Sequence, residues 1–285
     1  MTTATNEQKL QSAMAKVPAV TLGFWIIKVL ATTLGETAGD AVSMSWLGET
    51  TSAATGWGYL IGTAIFSVPL VVLIFAQIRA RAFNPLLYWG TIIASTTAGT
   101  TLADFFTRTL FTRTWHVDQA TSYLLGSLAL FACVASTLLV WRRTLGSVSV
   151  ESVASPRAEW FYWITITFSQ TLGTALGDWT ADSFGDTTFM GLDSGYVLGA
   201  LVFLAALALV ALLYRFSAFS RAGLFWAAFI LTRPLGATVG DFLDKPIAKG
   251  GLDFSRPMAT LALLVGIVIC LWLLPQRPAK AGASH

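Results

Sequence analysis

An eight-residue stretch ending in aspartate occurs four times in this chain, and any fold must give all four copies a comparable setting. The copies are Thr33–Asp40, Thr97–Asp104, Thr171–Asp178 and Pro234–Asp241. Counted back from the closing aspartate, a tryptophan lies fifteen residues upstream (Trp25, Trp89, Trp163, Trp226) and a glycine five upstream (Gly35, Gly99, Gly173, Gly236). The residue just before the aspartate is always small: Gly39, Ala103, Gly177 or Gly240. Recurrence at fixed offsets is the mark of an internal repeat. Each copy places one carboxylate within an apolar segment.

That apolar setting is general. Of 285 residues, 55% are hydrophobic and only 12% charged, where a soluble domain carries about 25% charged residues. Mean hydropathy is +0.66. Runs such as Val197–Tyr214 and Met258–Leu274 approach the ~20 residues that cross a bilayer as a helix. The sequence predicts an all-α polytopic membrane protein with eight transmembrane helices, near 19–45, 58–78, 86–108, 121–141, 159–183, 195–214, 222–243 and 256–274. The first eighteen residues are polar and lack the apolar core and cleavage site of a secretory signal. Cys133 and Cys270 each stand alone in an apolar run, with no metal or redox spacing, which points to packing.

The first span of each pair carries the tryptophan and the motif. The second opens with a mark of its own: Gly58-Tyr59, Ser122-Tyr123 and Gly195-Tyr196, each followed three residues after the tyrosine by glycine, and in the fourth copy Ser255-Arg256. Each repeat is therefore a helical hairpin. Two spans return the chain to its starting side, so the four hairpins are parallel and arranged around a pseudo-symmetric centre, not as an inverted repeat. Eleven Lys and Arg lie in the tails and even-to-odd connections, against five (Arg108, Arg113, Lys245, Lys249, Arg256) in or beside the odd-to-even connections. This bias places both termini in the cytoplasm. The organisation expected is a tail over 1–18, repeats 1 and 2 over 19–141, a cytoplasmic linker over 142–158, repeats 3 and 4 over 159–274, and a tail over 275–285.

Glu36, Asp40, Asp104, Asp178 and Asp241 fall within the spans. An ionisable group at that depth is costly and normally faces a bundle interior or a wet cavity. Positions seven, four and zero before each aspartate share a helix face. They supply Thr33 and Glu36 in the first copy, Thr97 and Thr100 in the second, and Thr171 and Thr174 in the third; the fourth has Pro234 and Ala237 and is poorer in oxygen. The glycines would let helices approach closely, or break them and free carbonyls. Carboxylate and hydroxyl oxygens suit hard cations such as Mn²⁺, Mg²⁺, Ca²⁺ or Na⁺. The two histidines, His116 and His285, lie at or beyond the span edges, and the motifs hold no cysteine. The bland alternative makes the threonines packing surface, the aspartates structural anchors and the tryptophans packing or interfacial residues. Two cations interrupt the spans: Lys28, eight before Glu36, and Arg233, eight before Asp241. Each could form an ion pair with that carboxylate, or act as a tethered cation that takes the site when substrate leaves. Asp182, four after Asp178, could add an oxygen at the outer mouth of the third copy, or be no more than a solvated helix end.

The fourfold tryptophan–motif hairpin resembles a family of bacterial membrane proteins described as a repeat of unknown function, built of four tandem two-span repeats. The resemblance runs from about Val17 to Leu274 and rests on the four tryptophans and four aspartates above. It implies an inner-membrane, multi-pass protein, and it brings a loose association with manganese efflux.

Three functions fit the residues. The first is a transporter of a hard cation, Mn²⁺ foremost, exported in exchange for protons, because crowded carboxylates hold protons as well as metal. The second is a proton-coupled transporter of a small organic solute in an aromatic cage. The third is a membrane scaffold or receptor whose polar faces are helix glue. No nucleophile–base pair or phosphate loop is legible, so an enzyme is not expected, and neither is a tightly bound cofactor. The dispersed basic residues suggest no nucleic-acid partner. The partners expected are the lipid bilayer, the transported cation and protons; homo-oligomerisation is compatible with the sequence.

Overall fold

A computed structural model describes residues 16–150, 153, 155–185, 188–189, 192–193 and 195–279. Lys9 and Lys280, two of the eleven basic residues counted above, lie outside the described residues, as do most of the 1–18 tail and of the last residues of the chain. Among the described residues there are eight long helices: α1 Leu22–Asp40, α2 Trp57–Arg79, α3 Pro85–Asp104, α4 Gln119–Leu145, α5 Pro156–Ser183, α6 Gly195–Phe216, α7 Arg221–Asp244 and α8 Arg256–Leu273. A two-stranded ribbon, Thr188–Phe189 with Leu192–Asp193, interrupts the connection between α5 and α6.

Local chemistry starts the motif helices. Thr21, Asn84, Ser155 and Ser220 cap α1, α3, α5 and α7, each side-chain oxygen accepting from the amide three residues on. These caps satisfy donors that the first turn leaves free. Pro85 and Pro156 occupy the first turns of α3 and α5, where a missing N–H costs nothing. Beyond their aspartates, α1 and α3 widen into π-helical segments, Ala41–Trp46 and Phe105–Thr114. In the second of these, Thr112 and Thr114 hydroxyls bond the carbonyls five residues back, as the wider turn requires.

The four motif helices pack in a ring, α1 on α3, α3 on α5, α5 on α7 and α7 on α1. The even helices lie outside it, and each leans chiefly on the next repeat: α2 on α3, α4 on α5, α6 on α7, and α8 back on α1. The hairpins are thus interlocked. The tails close the ring, with antiparallel contacts between Pro18 and Pro278 and backbone bonds Ala19 N to Arg277 O and Ala279 N to Val17 O.

Two contacts recur at all four ring junctions. The glycine five before each aspartate receives the residue eight before the next aspartate. An added Cβ would meet Thr96 at 2.3 Å from Gly35, Gln170 and the Thr171 amide near 3.0 Å from Gly99, Arg233 at 2.2 Å from Gly173, and Thr32 at 2.3 Å from Gly236. Farther from the aspartates, an aromatic residue sixteen before each packs on the tryptophan of the next copy: Phe24 on Trp89, Tyr88 on Trp163, Tyr162 on Trp226 and Phe225 on Trp25. Trp89, Trp163 and Trp226 are buried. The tryptophans are packing residues, of the two roles the sequence left open. The glycines do not break their helices, which run on through them; they serve close approach alone.

The exterior is apolar. Large side chains such as Val68, Val72, Leu128, Phe131, Leu209 and Val268 are exposed on the even helices, a surface too extensive for water. Five helices, α2, α4, α6, α7 and α8, are long and apolar enough to cross a membrane. In α1, α3 and α5 polar residues are concentrated among the buried positions, which lowers their mean hydropathy. This is the build of a helical membrane protein.

The junction contacts predict opposite effects for two glycines. Gly236→Ala drives a methyl into Thr32 backbone and side chain and should destabilise the protein by about 1–3 kcal/mol. Gly90→Ala meets nothing within 4 Å and should be neutral or slightly stabilising. Thermal unfolding in detergent reads the difference; equal effects would contradict the close-approach role.

Candidate functional site: a buried network of carboxylates and cations

The ring places the side chains four before each aspartate around one buried point. Glu36, Thr100 and Thr174 meet there, and Arg233 reaches in from α7. Its Nη2 donates to Glu36 Oε2 at 2.8 Å, to Thr100 Oγ1 at 2.6 Å and to Thr174 Oγ1. Arg233 is completely buried. Its position explains the reach: eight before Asp241, it lies over Gly173 of the neighbouring helix, and so points across the ring. Thr100 Oγ1 also lies 3.1 Å from the Gly35 carbonyl.

One turn on, the four aspartates fall into two pairs, each bridged by a cation four residues beyond one of them. Arg108 Nε bonds Asp104 Oδ1 at 2.6 Å, its Nη2 bonds Asp178 Oδ2 at 3.2 Å, and the guanidinium lies over the Tyr123 ring. Lys245 Nζ bonds Asp40 Oδ2, lies 2.8 Å from Asp241 Oδ1 and 3.7 Å from Asp244 Oδ1. Arg256 Nε stands 3.6 Å from Asp244 and 3.9 Å from Asp40. Six carboxylates (Glu36, Asp40, Asp104, Asp178, Asp241, Asp244) therefore share four cations (Arg108, Arg233, Lys245, Arg256). With every carboxylate ionised, the network would carry two more negative charges than positive ones.

Two groups of buried carboxylates bring oxygens within 4.8 Å of one another: Glu36 with Asp178 and Asp241, and Asp40 with Asp241 and Asp244. Asp241 belongs to both, so the copy poorest in hydroxyls supplies the shared aspartate. A cavity of about 920 Å³ opens above them at the end of the bundle carrying the odd-to-even connections; Asp178, Asp241 and Asp244 line it. Tyr59, Tyr123, Tyr196 and Arg256, the marks that open the four even helices, also line it, so the fourth-copy arginine stands where the others have tyrosine. Asp182 is exposed at the same cavity.

The other residues singled out by sequence are placed as follows. Thr33, Thr97 and Thr171 hydroxyls donate to carbonyls four residues back on their own helices, whereas Thr100 and Thr174 face the arginine. Lys28 is fully buried but pairs with no carboxylate among the described residues; its Nζ has no hydrogen-bond partner and lies 4.2 Å from the centre of the Phe229 ring. Neither ion pair expected within a helix forms: Arg233 takes Glu36 instead of Asp241, and Lys28 does not take Glu36. Sequence reading missed Arg108, Lys245, Asp244 and Arg256 as parts of the network, counting the basic ones only as topology charges. The signal was their spacing, since Arg108 and Lys245 lie four residues after a motif aspartate, on its face.

The family described as Repeat of Unknown Function (DUF347) matches four times in tandem, over residues 23–83, 87–146, 161–219 and 224–277. The chain belongs to this family. Each match covers one hairpin and one motif, so the repeat unit defined by the family is the unit that interlocks in the ring. No curated protein and no solved structure matches the chain significantly.

Breaking a buried ion pair from one side strands the other charge and costs about 3–5 kcal/mol. Arg233→Met should destabilise the protein by that order, and Arg233→Met with Glu36→Gln should recover much of the loss. Unfolding in detergent checks this double-mutant cycle; additive losses would show that the pair is not the tie described here.

Proposed function

We propose that the protein is an integral membrane transporter of a hard cation, which binds among Glu36, Asp178 and Asp241 at the foot of the cavity. The reading extends to a divalent metal, Mn²⁺ first with Mg²⁺, Ca²⁺ and Na⁺ as the other candidates, exported in exchange for protons across the bacterial inner membrane. All eight helices then span the bilayer as four parallel hairpins about a pseudo-symmetric centre, with both termini cytoplasmic and the cavity facing outward. Exposed Trp46, Trp57 and Trp115 near the cavity end and Trp272 near the other suit the two interfacial belts of such a protein.

The observation that carries the reading is the charge imbalance of the buried network. Apolar bundles tolerate carboxylates only when they are compensated, and this network sets six against four cations, while Lys28, also buried, pairs with none of the six. One divalent cation, or protons on the same oxygens, would supply the missing charge, which makes the two competitors for one site. That competition is antiport in its simplest form. A second reading, transport of a small organic solute, has one observation in its favour: about 920 Å³ with three tyrosines on its lining is the size of a small-molecule pocket. A non-transporting scaffold or receptor would leave the imbalance without a purpose.

Purified protein in liposomes loaded with a metal-quenched dye tests the choice. Mn²⁺ entry should respond to an imposed proton gradient and fall at least tenfold in Asp178→Asn. Absence of Mn²⁺ flux in folded parent protein would contradict the metal reading and favour the organic solute.

A further inference from the structure

The proposal concerns Lys245, the first residue after α7. Its ammonium is surrounded by Asp40, Asp241 and Asp244, with the Met44 sulfur 3.7 Å away. Three carboxylates around one ammonium, with the Arg256 guanidinium only at their edge, 3.6 Å from Asp244 and 3.9 Å from Asp40, are how a protein holds a small cation, and here the cation is covalently tethered. We propose that Lys245 is a built-in stand-in for a metal ion, occupying an outer cation site formed by Asp40, Asp241, Asp244 and Met44, and that a first-row transition-metal dication enters this site by displacing it.

Three observations carry the inference. First, the lysine satisfies the site poorly. Neither oxygen of Asp244 has a hydrogen-bond partner, although its side chain is completely buried, and Asp40 Oδ1 has none either. Buried oxygens without partners cost free energy and call for an occupant; a dication would engage several at once where the ammonium makes only two close contacts. Second, the lysine has somewhere to go. It lines the 920 Å³ cavity, and its four-carbon stem can swing into that space without moving α7. Arg108, which holds the opposite pair of aspartates, lines the same cavity but is held there by both carboxylates and the Tyr123 ring. Third, the donor set selects. Carboxylates suit Mg²⁺ and Ca²⁺ as well as Mn²⁺; a thioether offers Mg²⁺ and Ca²⁺ nothing, and adds a weak extra ligand for Mn²⁺ and a stronger one for softer first-row dications. Met44 lines the same cavity.

The outer group shares Asp241 with the inner group of Glu36 and Asp178. An ion held by the inner group can therefore pass outward by keeping Asp241 and exchanging Glu36 and Asp178 for Asp40 and Asp244. The returning ammonium then displaces it into the cavity and keeps the outer carboxylates from recapturing it. This deepens the transport reading and rests on it.

Equilibrium binding of Mn²⁺ and Ca²⁺ to the purified protein in detergent tests it, with Lys245→Gln, Asp244→Asn and Met44→Leu beside the parent. Lys245→Gln should bind Mn²⁺ at least tenfold more tightly, because no tethered charge competes. Asp244→Asn should bind it at least tenfold more weakly. Met44→Leu should lose affinity for Mn²⁺ but not for Ca²⁺. The last two keep the lysine, Asp244→Asn with two of its carboxylates and Met44→Leu with all three, so they report even if Lys245→Gln fails to fold. Mn²⁺ binding that is lost in Glu36→Gln but unchanged in the Asp244 and Met44 variants would overturn the outer site and leave the transport reading intact. No Mn²⁺ binding by any folded variant would overturn both.

Discussion

Arg233 can reach Glu36 only because Gly173 has no side chain. The arginine stem crosses the neighbouring helix within van der Waals contact of its backbone, and its guanidinium then ties α1, α3, α5 and α7 together through Glu36, Thr100 and Thr174. The same geometry, a residue eight before the aspartate lying on a glycine five before the preceding one, holds the other three junctions with Thr32, Thr96 and Gln170. Close approach is what a helix bundle in lipid has in place of a hydrophobic driving force between helices. Here it also carries the carboxylates inward, since the motif aspartates follow on the same helices.

The ring is closed at one end and open at the other. Between the tails and the arginine lie the aromatic junctions, with the Tyr88 and Tyr162 hydroxyls 2.6 Å apart, and then the buried residues Lys28, Ile92, Ile166 and Phe229. Above the arginine the aspartates floor a wide cavity. Passage through such a molecule would require the arginine tie and the aromatic layer to open together. Both are built from side chains contributed by neighbouring helices.

Much of this was legible in the sequence. The repeat, the helical hairpins and the burial of Glu36, Asp40, Asp104, Asp178 and Asp241 follow from period and hydropathy, because a carboxylate in an apolar helix has few places to go. Two things were not. The partner of Arg233 lies on another helix, and one-dimensional spacing suggested Asp241, two turns along the same helix. Position eight before the aspartate faces the preceding helix, which only the ring geometry reveals. Likewise the interlocking of each even helix with the next repeat, α8 on α1 included, leaves no trace in the order of the spans. Arg108 and Lys245 were visible by their spacing but hidden by a competing explanation, since basic residues near helix ends are also topology signals. The threonines divided for a reason of the same kind: those seven before the aspartate can bond their own helix, and those four before it face the ring centre.

The carboxylates around Asp241, which outnumber the cations among them, are the proposed cation site. Diffraction from crystals grown with Mn²⁺, recorded at a wavelength where manganese scatters anomalously, tests it most directly. The prediction is one strong anomalous peak within coordination distance of Asp241, shared with Glu36 and Asp178 or with Asp40 and Asp244. An occupied Mn²⁺ peak elsewhere on the protein, with all six carboxylates still paired as described here, would contradict it.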